Sequence, residues 1–269
     1  MSDFDRNPAA AYGRPLTRAE STVIDAGLRA YMLRIYNYMV LGLAITGFAA
    51  LGIYMLSVTN DPAAAERASS GAAVAIRAGT FLTPFGYALF VSPLKWVVIF
   101  APLALVFFFS FRVDSMRPST AQVMFWVFAA LIGVSLSSIF LVYTHTSIVR
   151  VFFITAAAFG GLSLYGYTTG RDLSGMASFL IMGLIGVIIA ALVNLFLQSS
   201  ALQFVVSVVG VLVFAGLTAW DTQRLKSEYI YGAMQGDVLE RSAIAGALSL
   251  YLNFINMFTM LLNLFGQRE

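Results

Sequence analysis

The chain has 269 residues, of which 59% are hydrophobic and only 11% are charged, whereas soluble domains carry about 25% charged residues. Too few polar side chains are present to cover a water-exposed globule, so the composition excludes a soluble fold and indicates a membrane protein. The net charge of +3 comes from basic residues in short segments between apolar runs, a distribution that predicts no nucleic-acid partner.

Residues 1–29 form a polar segment with Pro8 and Pro15, which is predicted to be an N-terminal tail in the cytoplasm. Seven apolar runs follow, and each approaches the roughly 20 residues that a helix needs to cross the hydrocarbon core. They cover residues 32–56, 94–111, 121–143, 149–168, 176–197, 202–220 and 244–265. The runs are continuous rather than alternating, which favours helices over the strands of a barrel. Residues 30–269 are therefore predicted to be one all-α domain, an integral membrane bundle of seven transmembrane helices.

The second run is the least regular part of this pattern. Pro84, Pro93 and Lys95 interrupt it, so the crossing is placed after Pro93, and residues 81–91 are predicted to lie at the membrane interface or against a loop. The Ala- and Ser-rich segment 59–79 before it is predicted to be a flexible loop.

The basic residues are unevenly distributed between the two sides of these seven spans. Eleven of the sixteen lie on the N-terminal side and five lie on the other. The positive-inside rule therefore predicts a cytoplasmic N-terminus, and an odd number of spans places the C-terminus outside.

Polar residues inside the seventh run share one face of the predicted helix. At about 100° per residue, an arc of about 120° contains all five of them, namely Ser249, Asn253, Asn256, Thr259 and Asn263. Such a stripe cannot face lipid, so the seventh helix is predicted to be central in the bundle. Two interpretations stay open: hydrogen bonds that hold helices together, and the lining of an ion or proton path.

Asp221 follows the sixth apolar run directly. An anion at the C-terminal end of a helix is disfavoured by the helix dipole, so Asp221 is expected to have a cationic partner, such as Arg112 at the end of the second span. To reach Asn253, the sixth helix has to continue beyond Lys226, which the composition of residues 221–231 permits.

Several glycines within the apolar runs are expected to allow close approach of helices, namely Gly160, Gly161, Gly183 and Gly186. The pair Gly166 and Gly170 has the spacing of a small-residue packing motif but lies at a helix end.

The residues needed for catalysis do not assemble into any known pattern. Cysteine is absent and His145 is the single histidine, which excludes thiol chemistry and histidine-rich metal sites. The sequence contains no zinc-protease motif, no phosphate-binding glycine loop and no nucleophile with an adjacent base. We therefore expect no enzymatic activity and no tightly bound cofactor.

Three long stretches of the sequence are distinctive: residues 151–186, which begin VFFITAAAFGG, residues 214–226, FAGLTAWDTQRLK, and residues 247–266, ALSLYLNFINMFTMLLNLFG. They resemble the transmembrane Bax-inhibitor-motif family (the Bax inhibitor-1 group) in its bacterial form. Together with APLALVFFFSFR at residues 101–112, the resemblance extends from about residue 94 to 266.

This resemblance implies a seven-helix bundle in which the other six helices surround the last one. It also implies a pH-sensitive calcium leak whose gate is a hydrogen-bonded pair of aspartates on the sixth and seventh helices, latched by an arginine from the second. Asp221 matches the first aspartate, in the setting D-x-x-x-L-K, and Arg112 is expected to match the latch.

The sequence departs from this pattern at Asn253, where the family usually has the second aspartate in L-Y-L-D-F-I-N. Two carboxylates that share a site cannot both ionise cheaply, so such a pair retains a proton and senses pH. An amide has no like-charge repulsion with Asp221 and can donate to it. We therefore expect pH gating to be weakened or shifted, with fewer charges to attract calcium.

The leading interpretation is a leak channel or transporter for cations in the inner membrane of a bacterium. Calcium is the expected transported ion, and Asp221 is its expected ligand. The alternative is a regulator that conducts nothing and binds other membrane proteins, such as a membrane protease or a stress-response partner. The expected partners are the lipid bilayer, calcium ions and other membrane proteins.

Overall fold

The computed structural model describes residues 18–67, 72–77, 79–232 and 235–268. Nine α-helices are assigned within these ranges: α1 (Arg18–Ser57), α2 (Pro84–Phe90), α3 (Leu94–Arg112), α4 (Pro118–Leu136), α5 (Ile139–Val142), α6 (His145–Thr168), α7 (Ser174–Leu197), α8 (Ser200–Gly232) and α9 (Gly236–Phe265). A single 3-10 turn, Val113–Ser115, follows α3. The all-α prediction is confirmed.

Among the residues that the structure describes, six helical segments are long and apolar enough to cross a membrane, and α1, α6, α7, α8 and α9 each provide one of them. The remaining one runs from Pro118 to Val142 and combines α4 with α5. A seventh span is complete only if α2 and α3 count as one, and these two are bent by 59° at a short break. The bend falls at Pro93, which is consistent with the interruption predicted in the second run. The chain is thus a multi-pass membrane protein with six or seven spans.

The first helix begins at Arg18, within the segment that the sequence assigned to a tail, and its apolar span begins at Ala26. Residues 1–17 of the predicted tail lie outside the described residues.

The segment between α1 and α2 contains a small sheet, which the sequence-based expectation of a flexible loop did not include. Its strands are β1 (Val58–Thr59), β2 (Ala75–Arg77) and β3 (Thr80–Leu82), in the order β1-β3-β2 and antiparallel throughout. The pairing of Val58 with Leu82 ties the end of α1 to the start of α2. Strands of two or three residues are too short for an alternating pattern to show in the sequence.

The helix α9 lies at the centre of the bundle, as predicted. Of its most apolar stretch, 67% is buried, compared with 11% for α7. It packs against α1, α4, α6 and α8. The ring of Tyr251 is completely buried and meets Phe125 and Phe128 of α4 edge to face.

The two ends of the bundle are named here by the turns that close them. The α8–α9 end is the one where α8 ends at Gly232 and α9 begins at Gly236, and it is the end nearer to Asp221. The α7–α8 end holds the turn at Gln198 and Ser199, together with the end of α9.

Candidate functional site

The sixth long helix continues well past the apolar run that predicted it. It ends at Gly232, so the expected extension beyond Lys226 is present. This extension carries Asp221 inside the bundle, where its side chain is only 4% exposed. A buried carboxylate needs hydrogen-bond donors or a cation, because burial removes the water that would solvate its charge.

Asp221 receives hydrogen bonds at both carboxylate oxygens. Its Oδ2 accepts from Ser249 Oγ at 2.8 Å and from Asn253 Nδ2 at 2.7 Å, both on α9. Its Oδ1 accepts from Nε and Nη2 of Arg224, at 3.1 and 3.0 Å. An ionised carboxylate has about four acceptor sites, so these four bonds satisfy it and join α8 to α9.

The amide of Asn253 takes the position that the family resemblance assigns to a second aspartate. Because an ionised carboxylate can only accept, the amide must turn its NH2 group toward Asp221. Asn253 is itself only 5% exposed, so the contact is closed to bulk water. The two residues make a bond that needs no shared proton.

The cation beside Asp221 is Arg224, one turn further along α8, whereas the sequence analysis expected Arg112. In the part of the chain that the structure describes, Arg112 lies exposed at the end of α3, which packs against α4. Residues three apart on a helix share a face, which places the Arg224 guanidinium next to the carboxylate without help from another helix. The role of Arg112 as a latch stays a prediction.

The polar stripe of α9 divides into three parts. Ser249 and Asn253 bind Asp221, while Asn263 at the opposite end accepts from the hydroxyl of Tyr143 at 2.9 Å. Between them, Asn256 donates to the Leu252 carbonyl and Thr259 to the Asn256 carbonyl. The middle of the stripe therefore satisfies its polar groups within α9, and its two ends bind neighbouring elements.

A second polar cluster continues from Arg224 toward the α8–α9 end. Arg224 lies 3.7 Å from Glu228, and Glu228 accepts from Ser242 Oγ at 3.2 Å. Ser242 also shares a hydrogen bond of 2.8 Å with the hydroxyl of Tyr31. This cluster connects α8, α9 and α1. The i,i+4 spacing of Arg224 and Glu228 had indicated only the first contact.

Sequence reasoning missed a chain of hydroxyl groups that crosses three helices. Thr222 on α8 hydrogen-bonds Ser163 on α6 at 3.0 Å, and Ser163 hydrogen-bonds Tyr36 on α1. Single hydroxyls inside apolar runs carry no distinctive pattern. The available signal was the spacing of Thr218 and Thr222, which places both on one face of α8.

Calcium prefers six to eight oxygen ligands, and the hydrogen-bonded group around Asp221 on α8 and α9 brings four side-chain oxygens together. These are its two carboxylate oxygens, Ser249 Oγ and Asn253 Oδ1. Within residues 18–67, 72–77, 79–232 and 235–268, no group of three or more His, Cys, Asp or Glu side chains has the geometry of a metal site.

Comparison with known proteins places this geometry in a family. The family described as "Inhibitor of apoptosis-promoting Bax1" matches residues 28–269, which cover every element that contributes to the site. The chain belongs to the Bax inhibitor-1 family. The resemblance stated from the three sequence stretches is therefore confirmed.

Relatives within the Bax inhibitor-1 family match most of the chain. The inner membrane protein YbhL of Escherichia coli K12 is 42% identical over 246 residues, which is 91% of this chain and 94% of YbhL. A protein of Rickettsia prowazekii is 45% identical over 253 residues, which is 94% of this chain and 96% of that protein. A membrane protein of Streptococcus pyogenes is 41% identical over 167 residues, 62% of this chain and 72% of the relative. These similarities support a multi-pass protein of the inner membrane.

Proposed function

We propose that this protein is a cation leak in the bacterial inner membrane, with calcium as the transported ion and Asp221 as its gate. The observation that carries the proposal is the buried Asp221 carboxylate bridging α8 to the central helix α9. An ionisable group at membrane depth is costly, and a bundle held only by packing needs none. The free-energy cost of burying the Asp221 carboxylate is explained if its charge attracts and releases a cation.

The gate works through competition for the carboxylate oxygens. In the closed arrangement, Ser249, Asn253 and Arg224 occupy both oxygens and hold α8 against α9. A proton on Asp221 removes the charge that strengthens these bonds, and an arriving divalent cation displaces the donors from them. Either event loosens the contact between α8 and α9 and opens a path beside the polar stripe.

Asn253 changes how this gate responds to protons. A pair of aspartates would share a proton near neutral pH, whereas the amide donates to the carboxylate without titrating. We propose that flux through this protein varies less between pH 6 and 8 than flux through a member with two aspartates. The α8–α9 end is assigned to the cytoplasm, because the basic residues concentrate on that side. The activity is transport, which requires no catalytic residues and no bound cofactor.

Calcium flux into lipid vesicles that contain the purified protein tests the proposal. We expect a flux above that of protein-free vesicles, with a shallow dependence on pH between 6 and 8. Asn253→Asp should make the dependence of the flux on pH steep, and Asp221→Asn should abolish that pH dependence. Thr168→Ala, which removes a hydroxyl bound to a carbonyl of its own helix α6 and lies outside the polar stripe, is the control and should retain the flux of the native chain.

Two results would contradict the proposal. One is a steep proton-dependent flux that persists unchanged in Asp221→Asn. The other is no flux from either the native chain or Asn253→Asp, when both are folded and oriented in the bilayer. The second result would favour a regulator that conducts nothing, and cross-linking in native membranes would then identify the membrane proteins that it binds.

A further inference from the structure

A polar cavity of about 580 Å³ lies at the α7–α8 end, opposite to Asp221. It lies where the end of α7, the start of α8 and the end of α9 meet. We call it the α7–α8 pocket, and the residues that matter for its chemistry are Asn194, Ser199, Gln203, Ser207, Asn263 and Arg268. The proposed gate at Asp221 lies at the other end of the bundle, so the inference does not rest on that gate, although Asn263 of the polar stripe also lines this pocket.

Amide oxygens in the α7–α8 pocket are already engaged by protein donors. Asn194 Oδ1 accepts from the Ser199 backbone N–H at 2.9 Å, and Gln203 Oε1 accepts from Asn194 Nδ2 at 2.9 Å. Asn263 Oδ1 accepts from the Tyr143 hydroxyl at 2.9 Å. Each of these bonds uses the amide oxygen of the residue to accept from another part of the protein. The amide groups of Gln203 and Asn263 therefore offer N–H donors to the cavity.

Ser207 lines the same pocket and is unusual in its hydrogen bonding. Its side chain is completely buried, and within the described residues its Oγ has no hydrogen-bond partner. Buried hydroxyl groups almost always have a partner, because leaving one unpaired sacrifices its bonds to water. A ligand in the pocket would supply the missing partner.

The electrostatics of the α7–α8 pocket select an anion. The helix α8 begins at Ser200, and its N-terminal residues Ser200 and Gln203 line the cavity, so the positive end of its dipole lies at the pocket. Ser199 caps this end, since its Oγ accepts from the Leu202 N–H at 3.3 Å. Arg268 is the one cationic residue among the described lining residues, and its guanidinium lies over the Tyr143 ring, 5.8 Å from the ring centre. No acidic side chain is found among the lining residues that the structure describes.

We propose that the α7–α8 pocket binds a phosphate group, either as a free anion or as the headgroup of an anionic phospholipid. A tetrahedral oxyanion accepts several hydrogen bonds at once, which suits a site with amide, hydroxyl and guanidinium donors. Arg268 supplies the charge, Ser207 supplies a desolvated donor at the base, and the start of α8 supplies the dipole.

The free anion is tested by titrating the detergent-solubilised protein with inorganic phosphate at constant ionic strength. We expect phosphate to raise the melting temperature in a saturable manner. Arg268→Gln should weaken this response about tenfold or more, since it removes a charge-assisted contact. Ser207→Ala should weaken it too, yet leave the melting temperature without phosphate unchanged or higher, because it removes an unpartnered hydroxyl at nearly constant volume. Arg112→Gln, an exposed arginine at the other end, should respond like the native chain.

The lipid headgroup is tested by native mass spectrometry after extraction from phosphatidylcholine bilayers with and without phosphatidylglycerol. Retention of phosphatidylglycerol that is lost in Arg268→Gln and Ser207→Ala, but kept in Arg112→Gln, would identify the headgroup as the source. A phosphate response without lipid retention would identify the free anion. The proposal is overturned if the native chain binds neither, or if Arg112→Gln reduces binding as much as Arg268→Gln.

Discussion

The side-chain amide of Asn253 on α9 donates a 2.7 Å hydrogen bond to the carboxylate of Asp221 on α8. This contact occupies the position where the family resemblance implies two carboxyl groups that share a proton. A donor and an acceptor of fixed roles replace that shared proton. The α8–α9 contact is therefore a hydrogen bond between two different groups, an amide donor and a carboxylate acceptor.

Removal of the Asn253 amide should destabilise the protein more than removal of a neighbouring amide on the same stripe. Asn253→Ala leaves one oxygen of a buried carboxylate with a single donor, so we expect a cost of about 1.5–3 kcal/mol. Asn256→Ala is the matched control, because that amide donates to the carbonyl of its own helix, and its cost should be below about 1 kcal/mol. Thermal unfolding in detergent measures both. Equal costs would contradict the assigned importance of the Asp221 contact.

A second carboxyl group at position 253 should make stability depend on pH. In Asn253→Asp, one of the two carboxyl groups holds a proton near neutral pH in the folded state, because like charges at hydrogen-bond distance repel. The folded state then binds more protons than the unfolded state, so the variant should gain stability as the pH is lowered from 8 to 6. The native chain has no second carboxyl group at position 253, so its melting temperature should change little over this range. Melting temperatures measured at pH 6, 7 and 8 test the difference, and parallel curves would refute it.

Arg224 and Arg112 should differ in their importance to the fold. Arg224→Gln removes the cation bound to Asp221, but the side chain is 41% exposed, so solvent screening limits the expected cost to about 1–2 kcal/mol. Arg112→Gln changes an exposed side chain at the end of α3 and should cost less than about 0.5 kcal/mol. Thermal unfolding of the two variants side by side is the measurement. A larger cost for Arg112→Gln would restore the latch contact expected from the resemblance.

Gly166 should be the α6 glycine that tolerates substitution least. A Cβ atom there would lie 2.1 Å from the Ala219 carbonyl oxygen, which belongs to the backbone of α8 and cannot move aside without displacing that helix. Gly166→Ala should therefore destabilise the protein by about 1–3 kcal/mol. A Cβ at Gly160 meets no atom within 4 Å, so Gly160→Ala should be neutral or stabilising. Similar melting temperatures for the two variants would show that α6 and α8 pack less closely than described.

The carboxylate of Asp172, in the loop before α7, should stabilise the fold at neutral pH but not at acidic pH. The backbone N–H of Ser174 donates to its carboxylate at 2.9 Å, and this bond lowers the pKa of the Asp172 carboxyl from its ordinary value of 3.8. A lowered folded-state pKa stabilises the fold above the unfolded pKa, and the gain disappears as the pH falls through the folded value. Asp172→Asn should melt below the native chain at pH 7 and converge with it as the pH falls below about 4. A difference that persists at the lowest pH would contradict this origin.

The membrane helices were predictable because hydrocarbon imposes a simple rule on length and polarity. The same rule identified the central helix, since the stripe from Ser249 to Asn263 had to avoid lipid. The three short strands were not predictable, because their pairing depends on contacts between residues far apart in sequence. The helix α2 was recognised only as an interfacial segment, since its seven residues are too few to show a period.

The candidate site was predictable only in part. The Asp221–Asn253 contact followed from requiring a partner for each polar group in the membrane. The dipole argument correctly required a cation beside Asp221 but named Arg112, whereas Arg224, three residues along the same helix, provides it. Of the three glycines in α6, Gly166 lies closest to a neighbouring helix, although its position at a helix end had argued against such a contact. A Cβ atom at Gly160 or Gly161 would meet no atom within 4 Å. Which glycine touches a neighbour depends on helix rotation, and composition does not encode rotation.

The most central helix of the bundle, α9, follows the other described helices in the chain and is therefore synthesised after them. The helix α8 can enter the bilayer beside α7 while α9 is still being translated, so Asp221 arrives before Ser249 and Asn253 exist. The two hydrogen-bonding partners Asp221 and Asn253 are 32 residues apart, which corresponds to about 2–6 s of translation at 5–20 residues per second. During that interval, Arg224 is the donor within reach of the carboxylate on its own helix. Arg224 thus pairs with the charge of Asp221 while α8 inserts into the membrane, before α9 packs into the core.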